Sequence, residues 1–306
     1  VTGFRSGFAC FVGRPNAGKS TLTNAIVGEK IAITSSRPQT TRHVIRGLVH
    51  RDDAQLVLVD TPGLHRPRNV LGERLNDLVR TTWAEVDTIA MCFPSDQRVG
   101  PGDKYLVKEL AALGRTKPVL AVATKTDLVS PNRLAEHLQA IQRAGEEAGL
   151  RWHEIVPVSA TAGDQVGLLT DLIVATLPEG PALYPEGQLT DEPEETLVAE
   201  IVRESALEGV RDELPHSLAV VVNEMVPRED RPADKPLVDV RVDVYVERDS
   251  QKGIIIGHKG ARLREIGAAS RRQIEKLLGT PVYLDLHVKV AKDWQRDPKQ
   301  LRKLGF

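Results

Sequence analysis

Gly13-Arg14-Pro15-Asn16-Ala17-Gly18-Lys19-Ser20 is the stretch whose reading decides the fold. It fits G-x-x-x-x-G-K-[ST], a loop built to cradle phosphate. Gly13 and Gly18 let the backbone bend so that amide N–H groups face an anion. Lys19 adds a point charge for β- and γ-phosphates, and Ser20 offers a hydroxyl to Mg2+. Asn16, Ala17 and Thr21 complete the set of residues placed to touch a nucleotide. The flanks agree with this. Phe8–Val12 is a short apolar run that reads as a buried strand. Beyond Thr21, Leu22, Ala25 and Ile26 have helical spacing, so the loop meets a helix N-terminus.

Working outward, residues 1–177 alternate strand and helix patterns. Strands are expected at Phe8–Val12, His43–His50, Leu56–Asp60, Thr88–Phe93, Val119–Ala123 and Glu154–Val158. Helices are expected near 19–27, 72–84, 103–113, 131–148 and 165–176. This is the pattern of an α/β domain with a mostly parallel sheet and helices on both faces. The loop between His50 and Leu56 is too short for a crossover, so those two strands should form an antiparallel pair at the sheet edge. Residues 178–195, with Pro178, Gly180, Pro181, Pro185, Gly187 and Pro193, read as a linker. Residues 196–306 then follow the order α-β-β-α-α-β and read as a second, α+β domain.

The chain has 306 residues, 41% hydrophobic and 27% charged, with a net charge of −1. That is a globular composition of two-domain length. No apolar run is long enough to span a bilayer, and no secretory h-region is evident at the N-terminus. Cys10 and Cys92, the only cysteines, lie in apolar runs and read as core residues of a reducing compartment. The small net charge hides an asymmetry. Residues 250–306 carry 13 Lys+Arg against 5 Asp+Glu, whereas residues 191–249 carry 17 Asp+Glu against 7 Lys+Arg. A basic end suggests a polyanionic partner. The acidic stretch is a candidate internal mimic that covers the basic groove.

Three further segments select the nucleotide. Asp60-Thr61-Pro62-Gly63 ends an apolar strand, where a carboxylate can hold Mg2+ and the Gly63 amide can meet a γ-phosphate. Thr124-Lys125-Thr126-Asp127 ends the next parallel strand but one. An Asp there accepts from N1–H and the exocyclic amine of guanine, a donor pair that adenine lacks. Ser159-Ala160 ends the following strand and supports the base. All lie at carboxyl ends of strands, where open α/β sheets bind ligands.

With Thr40-Thr41 in a polar loop, these elements resemble the translation-factor-like class of P-loop GTPases. The resemblance implies GTP and GDP as ligands and Mg2+ held by Ser20, Asp60 and one switch threonine, Thr41 being favoured over Thr40. Lys19, Thr41, Gly63 and Asn16 are then the residues expected to assist hydrolysis. Two departures stand out. Thr124 replaces the Asn usual at the head of N-K-x-D, keeping one hydrogen-bonding oxygen but losing the amide. Leu64 occupies the place of the Gln that orients the attacking water in Ras-like enzymes. Intrinsic hydrolysis should therefore be slow. Arg37 and Arg42 flank the switch without being clearly placed to act in cis. In similar GTPases, Asn at position 16 beside a Thr-Thr-Arg switch is associated with K+, which makes K+ a candidate cofactor; the alternative is that Asn16 only braces the loop.

A second glycine loop, Gly257-His258-Lys259-Gly260, joins two helical segments inside the basic region. With the α-β-β-α-α-β order it resembles a type II KH domain, whose loop clamps single-stranded nucleic acid. Ile254, Ile255 and Ile256 should give an apolar wall, and Arg262 with Lys259 should meet phosphates. Lys252, Arg264, Arg271, Arg272 and Lys289 are further candidates. The C-terminal Lys299–Phe306 reads as a short basic helix that either extends this surface or caps the domain.

The combination resembles the bacterial Era family. That resemblance implies a ribosome-assembly GTPase whose KH domain binds single-stranded RNA at the 3′ end of small-subunit (16S) rRNA, with the 30S subunit as partner and RNA binding gated by nucleotide. A cytoplasmic monomer is expected, with peripheral association at the inner face of the cell membrane as a further expectation. The alternatives are an RNA-binding module with a vestigial nucleotide site, and a membrane- or tRNA-modification-associated GTPase whose KH-like domain docks proteins.

Overall fold

The computed structural model describes residues 3–34, 42–64, 69–113, 117–208, 210, 217–229, 231–232 and 234–306. They fall into two compact units that divide between Asp191 and Glu192. The second unit also takes in the described residues 69–74.

The first unit is a six-stranded sheet in the order β2-β3-β1-β4-β5-β6. The strands are β1 (Arg5–Val12), β2 (Ile45–His50), β3 (Ala54–Asp60), β4 (Thr88–Pro94), β5 (Val119–Thr124) and β6 (Ile155–Pro157). Only β2 runs antiparallel, paired with β3 as the short loop requires. Strands β3, β4 and β5 are buried along their whole length, which is why they read as unbroken apolar runs. Helices α1 (Lys19–Val27) and α5 (Val166–Thr176) cover one face through Leu22, Leu169 and Ile173. Helices α2 (Val70–Glu85), α3 (Pro101–Ala112) and α4 (Pro131–Ala148) cover the other through Val79, Trp83, Leu106, Leu110 and Ile141. Cys10 and Cys92 are buried, unlinked, on opposite faces. Burial pushes the Cys92 thiol up to about 12, so neither face presents a reactive thiolate at neutral pH.

Of the stretch 178–195 read as a linker, residues 178–191 lie along the sheet. Ser6 N donates to Pro178 O, Gly180 N to Phe4 O and Leu48 N to Leu189 O. Gly47 and Thr190 form an antiparallel bridge beside β2. The buried Gln55 anchors the middle: its Oε1 accepts from Leu183 N at 2.6 Å and Tyr184 N at 2.9 Å, and its Nε2 donates to Tyr184 O. Tyr184 Oη donates in turn to Asp191 at 2.8 Å. Proline-rich composition signals the lack of helix and sheet propensity, but not the tertiary partners that fix such a segment.

The second unit holds a three-stranded sheet, β7 (Ala219–Pro227), β8 (Val238–Val246) and β9 (Val282–Val290), with β8 central. β7 and β8 are antiparallel, with an irregularity between Val222 and Glu224. β8 and β9 are parallel, so a crossover must join them. That crossover is α7 (Asp249–Ile256), a 3-10 turn over His258–Gly260, and α8 (Ala261–Leu278). With α6 (Glu194–Leu207) they enclose a core of Val198, Val202, Val240, Val242, Val244, Ile255, Ile266 and Ile274. The tail ends in α9 (Pro298–Lys303), which buries Leu301 and Leu304. Trp294 stacks on Phe306 at 5.5 Å and donates Nε1 to Ser217 O. The tail therefore caps its domain, while Arg302 and Lys303 stay exposed. The N-terminal turn of α2 belongs to this unit too: Asn69 Nδ2 donates to Gln295 Oε1 at 2.8 Å and Arg74 to Phe306 O at 2.9 Å.

Candidate functional site

The phosphate-type loop lies between β1 and α1, and its turn needs two left-handed residues: Asn16 at φ 63° and Gly18 at φ 91°. Gly18 takes this conformation without the Cβ penalty that Asn16 bears. Ala17 is fully buried, and Thr21 faces solvent on the first turn of α1. Lys19 folds back over the loop, its Nζ donating to Gly13 O at 3.2 Å and Arg14 O at 3.1 Å. Burial pulls its pKa down and the nearby Asp60 partly offsets this. A polyanion in the loop would supply the charge that this ammonium lacks.

Two more strands deliver their ends here. Ser20 Oγ donates to Asp60 Oδ2 at 2.7 Å, so a hydroxyl and a carboxylate share one spot at the mouth of the loop. Hard oxygen donors of this kind suit Mg2+, which keeps several waters and needs few protein ligands. No group of three or more His, Cys, Asp and Glu side chains with metal-ligand placement exists among the described residues. Gly63 passes so close to the loop that a Cβ would stand 3.0 Å from Pro15 N. Leu64, next in sequence, is buried in the core with Val79 and Trp83. Arg42 is buried, only 2% exposed. Arg37, Thr40 and Thr41 lie outside the described residues.

The base-side residues are linked in pairs. Thr124, at the end of β5, donates its hydroxyl to Ala17 O at 2.7 Å. It thereby ties the end of β5 to the glycine loop that follows β1. Ser159 Oγ donates to Asp127 Oδ1 at 2.6 Å and accepts from Ala162 N. Asp127 is thus held by the segment that includes Ala160. Lys125 sits at φ 58° with its ammonium 3.6 Å from Asp96.

The second glycine loop has left-handed geometry at three of four positions: Gly257 (φ 71°), Lys259 (φ 48°) and Gly260 (φ 75°). His258 and Lys259 are exposed. The isoleucine run divides. Ile254 is 52% exposed and available to a ligand, Ile256 is half-buried, and Ile255 is fully buried in the core. Helical geometry forces this, because consecutive residues of α7 point about 100° apart. Arg262 turns inward to the end of α6, and Lys289 is paired with Asp243 at 2.6 Å. Both charges are engaged within the domain, although the Lys289 side chain stays 53% exposed.

Two family models match the chain: a 50S ribosome-binding GTPase model over residues 8–125 and a KH domain model over residues 213–295. The GTPase Era of Streptomyces coelicolor is 72% identical over 302 residues, covering 99% of this chain and 95% of the relative. That of Nocardioides is 71% identical with 99% and 96% coverage. The chain belongs to the Era family of GTPases. A solved Era structure, in complex with MgGDPNP and nucleotides 1506–1542 of 16S ribosomal RNA, has a TM-score of 0.92 at 36% identity and covers 99% of both chains. The expected architecture, a GTPase domain with a mostly parallel sheet followed by a KH domain, is the one that Era relatives share. Sequence reading missed the brace that Arg14 Nε makes to the buried Asp103 at 2.7 Å. Its signal was present: in Gly100-Pro101-Gly102-Asp103, Asp103 caps the start of α3 by accepting from Gly100 N at 2.9 Å. The capping pattern is local, but the Arg14 partner is not.

Proposed function

We propose that this chain is a GTP-hydrolysing assembly factor that binds the 3′ end of small-subunit rRNA through its KH domain, with nucleotide state controlling that binding. The observation that carries this reading is the pairing of Ser20 with Asp60 and of Ser159 with Asp127 at the carboxyl ends of the strands of one sheet. One pair suits a metal–phosphate group and the other a guanine. Residues 1–177 would bind nucleotide, 178–195 join the domains, and 196–306 bind RNA. The first family model speaks of the 50S subunit, but it spans only residues 8–125. The solved relative of the same two-domain form holds 16S rRNA, and the small-subunit assignment rests on that relative.

In this mechanism, backbone amides of residues 13–20 and Lys19 bind the phosphates, and Asp127 fixes the guanine. Ser20, Asp60 and Thr41 would hold Mg2+, which screens charge on the β- and γ-phosphates when bound. Gly63 donates its amide to the γ-phosphate. Leu64, buried, leaves the attacking water without a side-chain amide at that position, so turnover by the chain alone is slow. K+ held by Asn16 and the switch backbone would raise it. Equal turnover in KCl and NaCl would count against the K+ role, as would an Asn16→Ala protein as active as the parent in KCl. We place the protein in the cytoplasm as a monomer; peripheral membrane association is a further proposal, supported here only by the family resemblance. No helix among the described residues is long and apolar enough to cross a membrane.

The deciding experiment is GTP turnover with and without a 16S 3′-terminal RNA oligonucleotide, with Gly257→Ala and Gly260→Ala proteins as controls. RNA-stimulated turnover that the glycine variants lose supports the assignment. Absence of RNA binding in either nucleotide state would leave a GTPase whose KH domain docks protein.

A further inference from the structure

Arg262 is the second residue of α8, two positions after the second glycine loop, in the most basic part of the chain. Its position in sequence is that of a phosphate contact. Its side chain does something else. Nη2 donates to Ala206 O at 3.3 Å and also to Glu208 O. These carbonyls end α6, where the last C=O groups of a helix have no partner within it and carry the negative end of its dipole. The guanidinium is therefore already engaged by the charge distribution it would otherwise seek in RNA.

The other end of the same residue is the seat of the loop. Gly257 packs so tightly against Arg262 that an added Cβ would lie 2.7 Å from its Cβ and 3.0 Å from its backbone N. One residue thus grips the first loop glycine with its stem and the C-terminus of α6 with its head. Lys259 differs: it is exposed, and its ammonium has no hydrogen bond or ion pair among the described residues.

We propose that Arg262 is a positioning residue that clamps the Gly257–Gly260 loop to the end of α6, and that Lys259, not Arg262, supplies the loop's phosphate charge. This rests on the RNA-binding reading above. The clamp holds three left-handed residues in the geometry that a phosphate backbone must meet. Losing it should lower affinity without removing a phosphate contact.

Salt dependence separates the two roles. For single strands, log K falls with log[salt] with a slope of about −0.7 per phosphate contact. The test titrates a labelled single-stranded RNA oligonucleotide into the full-length protein from about 50 to about 300 mM KCl. Arg262→Met keeps the stem and removes the head. It should bind about tenfold more weakly with the parent slope, whereas Lys259→Gln should give a slope shallower by about 0.7. Gly257→Ala presses on the same contact from the other side and should repeat the Arg262→Met signature. Parent affinity in Arg262→Met, or a slope as shallow as that of Lys259→Gln, overturns the proposal. Amide hydrogen exchange without RNA is the second arm. Arg262→Met should expose amides 257–260 together with the end of α6, and Lys259→Gln should not. If the parent protein binds no RNA, the RNA reading fails while this arm still tests the clamp; unchanged exchange overturns the clamp alone.

Discussion

Thr124 offers the sharpest test of how the nucleotide pocket is held. Its hydroxyl donates to Ala17 O at 2.7 Å, inside a loop residue that water does not reach. The carbonyl of Ala17 and the N–H of Gly18 belong to one planar peptide. Pinning the oxygen therefore aims the Gly18 amide to the opposite side, toward the phosphate position. Thr124→Val keeps the shape and removes the donor. An unsatisfied buried carbonyl costs about 1–3 kcal/mol. If about 1–2 kcal/mol of this appears in binding, GDP affinity falls roughly five- to thirtyfold. The same loss lowers Tm of a domain of this size by about 2–8 °C. Thr124→Ser keeps the hydroxyl and should stay within about threefold of the parent. Thr124→Asn can donate one N–H to Ala17 O and keep a second for the base, so it should bind GDP at least as tightly as the parent. Titration with a fluorescent GDP analogue and a thermal scan read both quantities. A Thr124→Val protein with parent Kd and parent Tm would refute the idea that this bond organises the loop.

Other expectations follow from the same geometry. Gly63→Ala places a Cβ 3.0 Å from Pro15 N and 3.3 Å from Arg14 C, both backbone atoms, so GTP turnover should fall about tenfold or more while GDP affinity changes little; turnover equal to the parent would show that the close approach is not needed. Burial holds the Lys19 pKa below its ordinary value near 10.5, and bound phosphates favour the charged form, so GDP binding should take up a proton between the lowered value and 10.5. Calorimetric titrations at alkaline pH in two buffers of unlike ionisation enthalpy should then give different heats. Burial raises the Asp243 pKa, but hydrogen bonds from Lys289, Asn223 and Tyr245 outweigh it, leaving the group below its ordinary 3.8. The folded state then binds fewer protons than the unfolded state, so this contribution is full above about pH 4 and fades as pH falls through the lowered value. Asp243→Asn should flatten the acid limb of a stability–pH curve; an unchanged limb would count against this.

Local patterns in the sequence carried much of the fold. The helix expected at 131–148 is α4, residue for residue, because Ser130 and Pro131 mark its start and Gly149, at φ 71°, its end. The alternation of Val238–Val246 marked β8, since a half-buried strand has period two. Helix α6 began earlier than its apolar stripe, at Glu194, where acidic residues suit a helix N-terminus. The candidate nucleotide pocket is legible for a related reason: each motif sits at a strand end, and parallel sheets bring strand ends together. What periodicity could not give is the choice of distant partner. Arg14 to Asp103, Thr124 to Ala17 and Arg262 to the end of α6 each join segments by a single side chain. The inward turn of Ile255 was foreseeable from helical spacing, but the direction of the run was not.

The segment lying beside β2 has a colloidal consequence. An uncovered edge strand offers free N–H and C=O groups to any passing chain and is a site of aggregation. Here Leu48 N already donates to Leu189 O, and Gly47 is bridged to Thr190. The covering stretch is short, and the run that leads to it carries Pro178, Pro181 and Pro185, which have no N–H with which to extend the pairing. Protection of the GTPase sheet from self-association is thus written into residues beyond its last helix, and a chain cut at Leu177 would keep every nucleotide-pocket residue yet expose the edge that makes it sticky.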